Sequence, residues 1–105
     1  MRSETVPSPA SLMSANVKLP QHVVFRAFPT ETVVLNLQTG RYHGLNPTAG
    51  DMLEALTQSH SVREAAMTLA ARYEQPRETI ERDLCELCNL LLDRGLVELD
   101  GVSPS

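Results

Sequence analysis

The spacing of apolar residues changes period along this chain. From Met1 to Pro20 no period is visible: Ser, Pro, Ala and Thr dominate, and Leu12, Met13 and Val17 stand apart. This predicts a disordered N-terminal extension over residues 1–20. From Gln21 the pattern becomes strand-like. Gln21–Phe28 places Val23, Phe25 and Ala27 on one face and Val24, Arg26 and Phe28 on the other. Pro29-Thr30-Glu31 makes a turn. Thr32–Leu37 is β-branched and apolar, with Val33, Leu35 and Leu37 expected on the core face and Val34 and Asn36 turned away. Gln38-Thr39-Gly40 is a second turn, and Arg41–Leu45 returns as a third strand.

At Asn46 the period shifts to that of a helix. Asn46 is the expected N-cap and Pro47 the first helical residue, where its missing N–H is not needed. Ala49, Met52, Leu53 and Leu56 then form one stripe to about Gln58. Ser61-Val62-Arg63-Glu64 reads as a capping box. It opens a second helix to about Tyr73, with Val62, Ala65, Ala66, Leu69, Ala70 and Tyr73 as its stripe. Pro76 starts a third helix, which runs to about Arg94 with Gly95 closing it. Its stripe is Ile80, Leu84, Leu87, Cys88 and Leu91. Leu96–Leu99 is a short extended segment. The prediction is an α+β domain over residues 21–99, with a tail at 100–105. Its three-stranded antiparallel meander is followed by three helices (β-β-β-α-α-α), the outline of a winged helix-turn-helix with its strands moved to the front.

Composition narrows what such a domain does. The chain has 105 residues and a formal net charge of −4. That argues against a phosphate-backbone partner, which needs a basic footprint. A DNA-binding regulator would place the third helix in the major groove. That helix carries Arg77, Arg82 and Arg94 against Glu78, Glu81, Asp83, Glu86 and Asp93, a poor match to phosphate. No apolar run reaches the roughly 20 residues of a membrane span, and no apolar h-region follows the N-terminus. The expected location is the cytoplasm, with no membrane partner. No nucleophile–base pair, phosphate loop or metal cluster is legible, so neither catalysis, a metal nor a cofactor is expected. Cys85 and Cys88 form a C-x-x-C spacing, but they lie inside a helical pattern without a second ligand pair. They read as small apolar fillers.

The third strand has a further property. Proline and charge usually protect a sheet edge. Arg41–Leu45 contains no proline, one charge and Gly44, which lets another backbone approach. Short length, or cover by a tail, is the alternative protection.

The runs TVVLNLQTGRYHGLNPTAGDMLEAL, SVREAAMTLAARY and DLCELCNLLLDRGLVEL, in that order, resemble the PqqD-like family, also called the precursor peptide recognition element of ribosomally made peptides. The markers are the hydrophobic strand before T-G-R-Y, the L-N-P-T-A run opening the first helix, Asp83-Leu84 within the third, and Arg94-Gly95-Leu96 closing it. The resemblance implies non-catalytic binding of a precursor's leader segment as a strand antiparallel to the third strand, and its delivery to a processing enzyme. The G-R-Y-x-x-L-N-P-T run is most similar to the stand-alone lasso peptide branch, which partners a leader protease. The alternative is the PQQ branch, which partners a radical SAM enzyme. The implied peptide-binding residues are Val34, Arg41, Tyr42, His43, Gly44 and Leu45 on the strand side. On the third helix they are Thr79, Arg82, Asp83, Leu84, Glu86 and Leu87. Asp83 matches the family's helix Asp and is the expected polar contact, while Val34, Tyr42, Leu84 and Leu87 are expected to line pockets. The state is expected to be a monomer or a strand-exchanged dimer.

Overall fold

The computed structural model of the chain describes residues 12–100. Its elements are β1 (Asn16–Lys18), β2 (Val23–Ala27), β3 (Thr32–Asn36), β4 (Tyr42–Leu45), α1 (Pro47–Gln58), α2 (Val62–Tyr73), α3 (Arg77–Asp93) and β5 (Glu98–Asp100). The antiparallel sheet β2-β3-β4 precedes the three helices, as the periodicity predicts. The termini of the helices follow local chemistry. Asn46 caps α1 by accepting from the Ala49 N–H at 2.8 Å. Ser61 caps α2 by accepting from the Glu64 N–H, and Glu64 returns by accepting from the His60 N–H at 2.7 Å. At the end of α3, Gly95 has φ +69°. Its N–H donates to the Leu92 carbonyl and that of Leu96 to the Leu91 carbonyl, a Schellman closure.

Two expectations are corrected. The first is the disordered extension. Residues 1–11 and 101–105 lie outside the described residues, but residues 12–20 are part of the domain. Leu12, Ala15 and Val17 are buried, and β1 pairs antiparallel with β5, Val17 opposite Leu99. The Ala15 carbonyl also accepts from the Val62 N–H at 2.9 Å, fixing this segment to the start of α2. The domain therefore begins before residue 21, and Asp100 belongs to β5 rather than to a tail.

The second correction concerns β3. Val34 is fully buried and Thr32 nearly so, while Leu37 is 57% exposed. The core face is therefore Thr32 and Val34, the reverse of the expected set. A side-chain period of two makes a one-residue error in facing invert the whole strand. The cause of the inversion is visible in α1. A Cβ built at Gly50 would lie 2.7 Å from Thr32 Cβ and closer still to its hydroxyl. Glycine at 50 lets α1 sit down on β3 at Thr32, so this face of the strand is the covered one.

The core joins Val34, Leu53, Leu56, Val62, Leu69, Leu84, Leu91 and Leu96. Every residue of the α3 stripe is buried. Cys88 is within it, and burial pushes its thiol up to about 12. Cys85 is half-buried, its thiol also raised by burial, with its sulfur 3.9 Å from that of Met13.

Two outcomes test this packing. Gly50→Ala is expected to destabilise the fold by about 1–3 kcal/mol through overpacking, read as a lower urea midpoint with unchanged m. At pH 8 a thiol reagent is expected to leave Cys88 unmodified in the folded protein and to titrate both cysteines once urea unfolds it.

Candidate functional site

The exposed edge of the sheet follows from its register. Leu35 pairs with Tyr42, Val34 with His43, Val33 with Gly44 and Thr32 with Leu45. The Asn36 N–H donates to the Arg41 carbonyl at 2.9 Å, which makes Asn36–Arg41 a bonded pair. Antiparallel pairs alternate, so His43 and Leu45 turn their peptide groups toward β3. Tyr42 and Gly44 turn theirs away from the sheet. Among the described residues, no strand covers that side of β4. The hairpin that sets this register is stiff. Asn36 Oδ1 accepts from the N–H groups of Gln38 and Thr39, and Gly40 at φ +77° completes the turn.

α3 runs beside this edge in the opposite direction. Its C-terminal end reaches β4 through Arg94, whose Nη1 lies 2.9 Å from His43 Nδ1. A cavity of about 500 Å³ opens there, lined by Asn36, Thr39, Arg41, His43 and Arg94. Past the other end of β4, a cavity of about 290 Å³ separates the start of α1 from the middle of α3. Asn46, Thr48, Ala49 and Met52 face Asp83, Glu86, Leu87 and Leu90 across it. It continues into one of about 250 Å³ that shares Thr48, Met52 and Asp83 and adds Tyr73, Gln75, Thr79 and Ile80. There the Tyr73 hydroxyl donates to Asp51 Oδ2, joining α2 to α1, and this bond holds the phenol's pKa above its usual range. The result is a groove with apolar side chains in its floor and carboxylates on one wall.

The structure gathers some of the expected site residues and separates others. Asp83, Glu86 and Leu87 line the groove, with Thr79 in its continuation. Arg41 and His43 line the cavity beside Arg94. Gly44 lies on the open edge, where the space its missing side chain leaves is occupied by the Glu31 carboxylate. Leu45 is buried. Val34 and Leu84, expected to line pockets, are instead fully buried in the core. Tyr42, the third expected pocket residue, is 70% exposed and pairs with Leu35 on the uncovered face of the sheet. Arg82 is exposed and lines neither cavity. Sequence reasoning missed Asn46, Met52, Leu90 and Arg94 as site residues. For α3 the signal was present: Asp83, Leu87, Leu90 and Arg94 recur at i, i+4, i+7 and i+11, a stripe beside the core stripe.

Among the described residues, no group of three or more His, Cys, Asp or Glu side chains is placed to hold a metal ion, and no helix is long and apolar enough to cross a membrane.

The site is thus an uncovered strand edge beside a helix-walled groove in a small α+β domain. The chain belongs to the PqqD family: residues 31–97 match the family described as coenzyme PQQ synthesis protein D. Two solved structures are similar across most of the chain. One is TbiB1 in complex with the TbiA(beta) leader peptide, 32% identical, covering 77% of this chain and 94% of that one, with a TM-score of 0.69. The other is lasso peptide synthetase B1 complexed with the leader peptide, 28% identical, covering 80% and 99%, with a TM-score of 0.71. Comparison with curated proteins yields no match.

The register gives a direct expectation. Hydrogen exchange is expected to find the amides of His43 and Leu45 protected and those of Tyr42 and Gly44 exchanging fast in the unbound protein, read residue by residue by NMR.

Proposed function

We propose that this chain binds the leader segment of a ribosomally made precursor peptide and presents it to a processing enzyme, without catalysing a reaction itself. The observation that carries this reading is the pair of outward-turned peptide units at Tyr42 and Gly44 next to the α1–α3 groove. An extended peptide laid along β4 satisfies those backbone groups, and the groove takes its side chains. The similar structures support the reading, because both are complexes with leader peptides. One of the two is a lasso peptide synthetase B1, which favours a lasso-type leader protease as the enzyme served. The family description favours the runner-up, delivery of a peptide to a radical SAM enzyme in cofactor synthesis.

Binding divides between backbone and side chains. The strand pairing supplies contacts that any sequence can make. Selectivity then comes from the groove, where Leu87 and Leu90 offer apolar contact and Asp83 a carboxylate. Leu90 is 41% exposed, so a ligand side chain reaches it without opening the core.

Fluorescence anisotropy with the labelled leader of the precursor encoded beside this gene tests the proposal. Saturable binding in the nanomolar to micromolar range, about −12 to −8 kcal/mol, is expected. Leu90→Asp is expected to weaken it at least ten-fold (about 1.4 kcal/mol), with an unchanged circular dichroism spectrum. Absence of saturation up to about 100 μM with folded protein would refute the reading.

A further inference from the structure

The groove has a charge direction. At the Leu45 end of β4 the groove carries two carboxylates, Asp83 and Glu86 on the α3 wall, and a third, Glu31, lies over Gly44 on the opposite, uncovered face of the sheet. At the Arg41 end are two guanidiniums, Arg41 and Arg94, with His43 between them. Among the described residues, none of these five charged groups has an opposite charge within 4 Å. The α3 carboxylates are not explained as compensation of the helix dipole, whereas Arg94, at the α3 C-cap, is a cation where that dipole favours one. That effect fades within the first turn, and Asp83 and Glu86 stand in the second and third turns of α3. Nor are they paired along the helix, as Arg77 and Glu81 are at 3.3 Å. Asp83, Glu86, Arg41 and Arg94 instead border the cavities that flank the open edge.

We infer that this site selects leaders by charge order: a basic residue toward the N-terminal end of the docked strand and an acidic residue toward its C-terminal end. The inference rests on the proposed leader site and follows from directions. A strand antiparallel to β4 runs from the Leu45 end to the Arg41 end, and so parallel to α3. Its first residues meet Asp83 and Glu86, and its last meet Arg41 and Arg94. Eleven helical positions separate Asp83 from Arg94, a rise of about 16 Å, or about five residues of extended chain. The preferred ligand therefore carries Lys or Arg about five positions before Asp or Glu. Apolar residues lie between them, over Leu87 and Leu90. The same poles disfavour a peptide docked in the reverse direction, so they also fix the polarity of the strand.

The test is a display selection. The full chain is immobilised, and a library of about twelve random residues between Gly-Ser flanks is selected for binding. Enriched peptides are expected to carry the basic-before-acidic order at about five-residue spacing. The best binder and a copy with its two charges exchanged are then compared by anisotropy. The exchanged copy is expected to bind roughly ten-fold more weakly in low salt, with the gap narrowing in about 0.5 M NaCl. In a D83K/E86K/R41E/R94E variant the preference is expected to invert. Amide exchange separates the two levels of failure. Binders that protect Tyr42 and Gly44 but show no charge order, or the opposite one, overturn this inference and leave the leader site standing. Binders that leave those amides unprotected overturn the site itself and this inference with it.

Discussion

The contact between Gly50 and Thr32 sets the geometry of everything around it. A helix normally stands off a sheet by the thickness of its side chains. Here the helix presents no side chain at position 50, and α1 drops onto β3 until only Thr32 separates them. That seat decides which face of β3 is covered, and so which side chains of β2 and β4 enter the core. It also fixes the distance between the start of α1 and the strand that leads into it. Asn46 is both the last residue before α1 and its N-cap, so there is no slack between β4 and the helix. The groove opposite α3 is the space left once α1 is held down in this way.

The sheet has two outer strands, β2 and β4. Beyond β4 the edge is flanked at both ends by recesses, and α3 supplies a wall to each of them. The β4 edge is therefore both unpaired and furnished with side chains. Pairing to a free edge is unselective by nature. It becomes recognition only where side chains beside the edge can tell one strand from another. In this fold α3 offers such side chains, because its buried stripe and its groove stripe are adjacent rows on one helix.

The helices were the most legible part of the sequence. Their stripes are long and their capping residues chemically explicit, and the boundaries of α1 coincide with the expectation. The strands were legible as strands but not in their facing. Thr32 to Leu35 carries apolar or β-branched side chains at every position, so alternation had nothing to act on. Asn36, read as outward because it is polar, spends its side chain on the turn instead. Residues 12–20 escaped notice for a different reason. Leu12, Ala15 and Val17 are too few to show a period, and their partners, the start of α2 and β5, are distant in sequence. The site residues divide in the same way. Those on α3 follow from the helix period, which also put Leu84 in the buried stripe, whereas the burial of Val34 depends on the facing of β3, which was not visible in one dimension.

The pairing of β1 with β5 has a consequence for architecture on a larger scale. Asn16 lies opposite Asp100 across this two-stranded ribbon, with Lys18 and Asp100 bridged at 2.9 Å. The first and last strands of the described residues thus lie side by side. A unit whose doorways are side by side can be spliced into a surface loop of a host protein without stretching either partner. The same fold is therefore mechanically suited to stand as a separate unit or to be carried as an insert within a larger protein.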